Sequence, residues 1–317
     1  MTFTEYFIGK REQISWAEES SFGTGVTPTD IVGYNVTINP TFTRGWQEIL
    51  AGGDDTRAVN SYVVGPKDLR FTIEFIPVDW KFLKYVYGTV ADLGSDPYTH
   101  TFTLNNAVKS FTLEWAKRGA TNHVITLDGC SVLSCKLAYS KATSAGSEGH
   151  IKVTLDCVAQ DYTKGTSITS ISAPTTTPFQ YRMVKLTLNG NEIKEVNSGE
   201  LNISTGIEIN DSRYCNSTYD ETIGETIPKT FRISGRSNIN LKDRSLFDLW
   251  DAGTAIAGAC KLEFVRGSND DIDFTFGTVY PDESTAPTNI EGVTNVDFSY
   301  TITSIGTSVA TDSTSTY

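Results

Sequence analysis

Apolar and polar residues alternate with a period of two along most of this chain, the pattern of a β-strand with one buried face and one polar face. The alternation is cleanest at Ile272, Phe274 and Phe276 and again at Val296, Phe298 and Tyr300. In the first half it predicts strands over 33–39, 69–75, 99–104, 109–116, 123–127, 132–139 and 151–158. In the second half it predicts them over 183–188, 200–209, 231–234, 261–266, 271–276 and 293–301.

Two stretches switch to helical spacing. After Asp79, a candidate N-cap, Trp80, Leu83, Val86 and Tyr87 fall near one face and Gly88 supplies the stop. After Asp243, a second candidate cap, Leu246, Phe247, Leu249 and Trp250 do the same and Gly253 ends the run. Each predicted helix has about ten residues, too short to stand without packing on a sheet. On this reading Trp80 and Trp250 belong to the core.

The elements recur in one order. Pro66-Lys67 opens one strand and helix; Pro228-Lys229 opens another. Each half closes on a Gly-led alternating segment, beginning at Gly149 and at Gly292. The fold class expected is therefore mainly β, with two tandem β-sandwich or barrel-like modules, each with one short flanking helix. The expected division is an N-terminal arm at 1–30, module 1 at 31–162, a linker at 163–178, module 2 at 179–306 and a flexible C-terminal tail at 307–317. Pro40 to Asn60 does not alternate cleanly and reads as a long loop, an excursion suited to reaching a neighbour. Trp16 and Trp46 fall in the arm and this loop, which makes them candidates for contact with another subunit.

Composition changes the picture only at its margins. With 38% hydrophobic and 20% charged residues the 317-residue chain is globular. No apolar stretch approaches the roughly 18–20 residues of a membrane span. Nor does Met1–Tyr6 have the basic start of a secretory signal, so folding in a cytoplasm is expected. Of the net charge of −12, the residues after Ser170 carry the larger part, with 11 Lys and Arg against 20 Asp and Glu. An acidic surface argues against binding nucleic acid through phosphates and is compatible with one that DNA slides past.

Cys130, Cys135, Cys157, Cys215 and Cys260 are an odd set without zinc spacing, and read as reduced, structural thiols. His100, His123 and His150 stand in separate strands and read as surface or interface residues. Asp270-Asp271-x-Asp273 opens a strand and reads as a hairpin turn. Neither a nucleophile elbow, a P-loop nor a dinucleotide fingerprint appears. The expectation is no enzyme, no cofactor and no metal.

The segment Glu19-Ser20-Ser21-Phe22-Gly23-Thr24-Gly25 resembles the Glu-Ser-x-Phe/Tyr-Gly-Thr segment near the start of many tail tube proteins of long-tailed bacterial and archaeal viruses. Gly65 to Ile76 with Asp79–Gly88 is similar to that family's outgoing strand and short helix. Lys261–Phe264, Asp271–Phe276 and the strand after Gly292 are similar to its late elements. The resemblance implies a virion structural protein, assembled in the host cytoplasm, that builds stacked rings around a channel for DNA ejection.

Two modules per chain imply a homotrimer that mimics a hexameric ring. The implied partners are further copies, the tape measure, tail terminator and distal tail proteins, and double-stranded DNA only in transit; no membrane is involved. Pro40–Asn60 and Glu208–Glu225 would be the reaching loops. Candidate inter-subunit or inter-ring contacts are Trp16, Phe22, Trp46, Arg57, Arg213, Tyr214 and Tyr219, and acidic side chains of one sheet face would line the lumen. The competing readings are a two-domain β-sandwich that binds carbohydrate or a cell surface, as an adhesin or decoration protein does, and a related tail-tip hub or distal tail protein.

Overall fold

The computed structural model describes residues 12–49, 59, 61–142, 149–209, 213–215, 221–242, 245–256, 258–285, 294–303 and 305–317. At 213–215, 221, 222 and 305–307 it describes the backbone alone. The first half contains β1 (Glu12–Glu18), β2 (Asp30–Ile31), β3 (Tyr34–Ile49), β4 (Ser61–Ile76), α1 (Leu83–Tyr87), β5 (Gly88–Gly94), β6 (Tyr98–Leu104), β7 (Phe111–Lys117), β8 (His123–Ser140), β9 (Ile151–Ala159) and β10 (Asp161–Gly165). The second half contains β11 (Val184–Leu188), β12 (Asn191–Ile193), β13 (Val196–Ser204), β14 (Ile207–Glu208), β15 (Arg213–Cys215), β16 (Glu221–Ile223), β17 (Ile227–Pro228), β18 (Arg232–Asn240), α2 (Ser245–Asp251), β19 (Cys260–Gly267), β20 (Asp270–Phe276), β21 (Val279–Thr285), β22 (Asn295–Ile302) and β23 (Ile305–Asp312). The fold is mainly β, as the alternation predicts.

One antiparallel row runs β3–β4–β9–β8–β13–β18–β22–β21. Its first four strands come from the first half and its last four from the second. Both groups follow one connection: the first strand pairs with the second, a helix follows, and the strand that closes the half inserts between the second strand and its own predecessor. The seam between the groups is the β8–β13 ladder, from Ser134↔Ser204 to Ser140↔Ser198.

β8 belongs to two layers. Its start pairs with β7 and β10, and from Ser131 onward it pairs with β9. The corner is made at Gly129, whose φ of 62° a side chain would resist, with the ladder bulged beside it. Beyond β7 the outer layer continues through β1 to β2. The other outer sheet runs β12–β11–β19–β20–β23–β6–β5, so a first-half hairpin completes a second-half sheet.

The inward faces meet in one hydrophobic core that spans both halves. Trp80, 1% exposed, packs on Phe179, Phe264 and Phe274 of the second half at ring distances of 4.9, 5.3 and 6.1 Å. Burying a side chain of Phe size stabilises by about 1.5–3 kcal/mol, so this shared aromatic cluster ties the halves together. Cys130, Cys135, Cys157 and Cys260 are buried thiols, and burial pushes each of them up.

Several expectations are corrected. Residues 12–18 of the supposed arm are a core strand paired along β7. Residues 307–312 of the supposed tail belong to β23, paired on both sides, and Tyr317 is buried with its ring stacked 3.7 Å from His100. A terminal segment stays ordered when its backbone completes a ladder and its aromatic end fills the core. Thr163–Gly165 of the linker extend β10, and the rest is tied by Thr169 to Gln13 and Glu114 and by Pro174 to Tyr34.

Pro40–Ile49 is strand rather than irregular loop. The helices have five and seven residues, and Phe82, not Asp79, occupies the N-cap of α1; the Asp79 carboxylate accepts the Lys81 N–H instead. Asp243 lies outside the described residues. His100 is fully buried between Asp92 and Asp312, at 2.7 and 3.2 Å, not at the surface. Trp250 is 37% exposed rather than core.

Candidate functional site: a polar sheet face between two free edges

Directly opposed residues of an antiparallel ladder point to the same face. The register therefore places Glu74, Thr154, Lys136, Asn202 and Ser234 in one row from β4 to β18, and Lys152, Ala138, Glu200, Arg236 and Ser299 in the next from β9 to β22. The opposite face holds Ile73, Leu155, Cys135, Ile203 and Ile233, all buried. The polar face surrounds a groove of about 740 Å³.

Charge on this face comes in pairs. Lys152 meets Glu74 at 2.5 Å, Arg236 meets Asp297 at 2.8 Å and Lys136 meets Glu200. Hydrogen bonding from Lys136 holds the Glu200 carboxyl below its ordinary value; Asn238 and Arg236 do the same for Asp297. Asp156 accepts from Thr72 at 2.8 Å and from Ser134 at 2.7 Å. On this face Glu74, Glu200 and Asp297 thus each lie beside a cation, in cross-strand pairs. Such a face offers passing phosphate neither a block of free cations nor a strong repulsive field.

Two edges flank it. Among the described residues β3 pairs only with β4, and β21 pairs along its length only with β22. Ile256 donates its N–H to Val279 O at 2.9 Å at the start of β21, and the Trp250 indole donates to Asp282 O at 3.3 Å. β21 also holds Pro281, which has no N–H, next to a bulge. Proline and bulges are devices that keep an edge from pairing indiscriminately.

The β3–β4 hairpin projects from the first edge. Beyond the last pair of β4 with β9, at Leu69, it runs from Thr43↔Asp68 to Ile49↔Ser61, about 20 Å at the usual strand rise. Its outer part exposes Trp46, Ile49, Tyr62, Val63 and Val64, with Trp46 directly opposite Val64. The second-half counterpart folds back: Ile209 and Ile223 pack with Val158, Leu133 and Phe22 of the first half.

The candidate contacts therefore separate. Trp46 stands 62% exposed on the hairpin. Trp16 is 3% exposed, wedged edge-on against Phe75, Tyr85 and Phe111 at 5.6–5.9 Å, which leaves no ring surface for a neighbour and corrects that expectation. Phe22 is half-buried and packs within its own chain. Arg57 and Tyr219 lie outside the described residues, as do the side chains of Arg213 and Tyr214.

Sequence reasoning missed the paired charges Glu74, Lys136, Lys152, Glu200, Arg236 and Asp297. Their period-two positions were visible, but which strands lie side by side was not. The Glu19–Gly25 segment acts as a fastener within the fold. Glu19, 4% exposed, accepts from Gly23 N, Ser110 Oγ, Thr112 Oγ1 and Gly129 N at 2.7–3.0 Å. These bonds hold the turn after β1 against the corner of β8.

No curated protein matches the chain at a significant level. A family model described as phage tail tube protein matches residues 9–304, which takes in the Glu19 turn, the hairpin, the polar face and both edges. The chain belongs to the phage tail tube protein family.

Proposed function

We propose that three copies close into a ring by pairing β21 of one copy with β3 of the next, and that the rings stack into a tube around DNA. The observation that carries this reading is the β8–β13 seam. There the last-but-one strand of one four-stranded group meets the first strand of the next group, antiparallel, inside a single chain. β21 and β3 hold the same two positions at the ends of the row, and among the described residues neither has a second strand paired along its length. Repeating a seam head to tail generates a closed ring whenever its rotation divides a full turn.

The two groups per chain are then copies of one module, and three chains supply six modules. The paired polar face lines the channel and the buried face lies behind it. The β3–β4 hairpin, too long and too apolar at its end to serve its own chain, reaches the adjoining ring. The protein acts as a virion tail component rather than an enzyme, and the other tail proteins meet it at the ends of the tube.

Electron microscopy of the purified protein with native mass measurement tests the reading. Rings with a central channel and the mass of three chains are expected. Rings of another copy number would overturn the trimer, and a chain that stays monomeric at all concentrations would overturn ring closure.

A further inference from the structure

The two helices follow equivalent strands, β4 and β18, yet meet different surroundings. Leu83, Tyr85, Val86 and Tyr87 of α1 are all buried. Part of that cover comes from the second half: the Tyr87 ring lies 5.9 Å from Phe231, and its hydroxyl is 2.9 Å from Ser308 Oγ. Trp80, just before α1, sits among Phe179, Phe264 and Phe274. In α2 only Leu246 is buried. Phe247 and Trp250 are 46% and 37% exposed, with ring centroids 5.3 Å apart. Trp250 is not free to swing inward, because its indole N–H is held by Asp282 O on β21. A fixed, paired aromatic patch thus stands beside the strand edge that has no following module.

We infer that Phe247 and Trp250 form a docking face for the first half of a second copy, which covers α2 as the second half of the same chain covers α1. The inference rests on the ring reading and goes beyond it, since an edge ladder needs no aromatic contact. Two adjacent, half-exposed aromatics on a rigid support are the residue types and geometry of an interface anchor. The occupant follows from the repeat: the position that the next module fills at α1 falls, at α2, to the next chain.

The test compares the wild-type chain with Phe247→Ala/Trp250→Ala by mass measurement over a concentration series, with circular dichroism to check folding. Rings from the wild type, and a folded double variant whose assembly needs on the order of 100-fold more protein, are expected. A double variant that assembles like the wild type overturns the docking face and leaves the ring reading standing. A wild type that never assembles overturns the ring reading, and this inference with it. A second measurement keeps Trp250 in place and reads access to position 247 directly. In Phe247→Cys/Cys215→Ser the introduced thiol should react with a maleimide in the monomer and be shielded at least 10-fold in the ring, the remaining native Cys130, Cys135, Cys157 and Cys260 being buried. Rings in which that thiol reacts at the monomer rate overturn the second copy as occupant and leave the face to another tail protein.

Discussion

The Glu19 carboxylate accepts the Gly129 N–H at 2.8 Å, joining the turn after β1 to the corner where β8 leaves one layer for the other. Its remaining lone pairs take Gly23 N, Ser110 Oγ and Thr112 Oγ1. Four donors converge on one buried acceptor, and each hydrogen bond to a charged group contributes more than a neutral one. Replacing Glu19 with Ala strands two backbone N–H groups and two hydroxyls away from water. Unfolding in urea should show a loss of about 3 kcal/mol for Glu19→Ala and a smaller loss for Glu19→Gln, which keeps an acceptor. An unchanged midpoint for Glu19→Ala would mean that the turn is held by other contacts.

A second prediction concerns acid. Asp273 stands directly across the β19–β20 ladder from Glu263. Burial, and then the Glu263 charge, push its carboxyl up to about 6 from the ordinary 3.8. The folded state therefore holds a proton that the unfolded chain has released over the interval from about pH 4 to 6. Stability from this site is present below that interval and is lost as pH rises through 6. Asp273→Asn removes the penalty, so its melting temperature should exceed that of the wild type at pH 7 and converge with it at pH 4. A constant difference at both values would assign the effect to packing instead of charge.

These two sites also mark what the sequence could reveal. Glu19 was visible as part of a motif, but its four partners come from 23, 110, 112 and 129, and no local pattern joins them. The buried alternation of Ile272, Phe274 and Phe276 was legible because one face of β20 is apolar throughout. β3 beyond Pro40 was not, because the hairpin is exposed on both faces and so has no reason to alternate. β1 was missed for the opposite reason: Ile14-Ser15-Trp16-Ala17 is buried at four consecutive positions, and the period vanishes. The two helix stops at Gly88 and Gly253 were legible because both take a positive φ that other residues avoid. The polar face was half legible. Its residues occupy the alternate positions of assigned strands, but the pairing of Lys136 with Glu200 depends on the seam between the halves.

The paired face yields a prediction about DNA. Glu74, Glu200 and Asp297 there each have a cation within reach, and exposed ion pairs contribute little to stability, about 0–1 kcal/mol each. Substituting Glu74→Lys, Glu200→Lys and Asp297→Lys together should leave the melting temperature within a few degrees. It should also turn the face into a block of cations, since Lys152, Lys136 and Arg236 remain. Assembled particles of this variant should retain double-stranded DNA in a gel-shift experiment at low salt and release it as salt rises, whereas wild-type particles retain none. Equal retention by both would place the channel on some other surface.

On the ring reading proposed above, the hairpin should separate folding from stacking. Trp46 and Val64 face each other across the β3–β4 ladder and both are exposed, so the subunit gains little from either. Surface substitutions of this kind change stability by about 0.5 kcal/mol or less. An aromatic anchor that becomes buried between rings contributes far more there, because truncating such a residue typically costs about 2 kcal/mol or more of binding free energy. In a tube the contact repeats at every ring, so the loss multiplies along the length. Trp46→Ser/Val64→Ser should therefore fold and close rings like the wild type, yet give short stacks or single rings under the microscope. If tubes of normal length form, the apolar end of the hairpin has another partner; if rings themselves fail to close, the hairpin belongs to the seam between β3 and β21 rather than to the contact between rings.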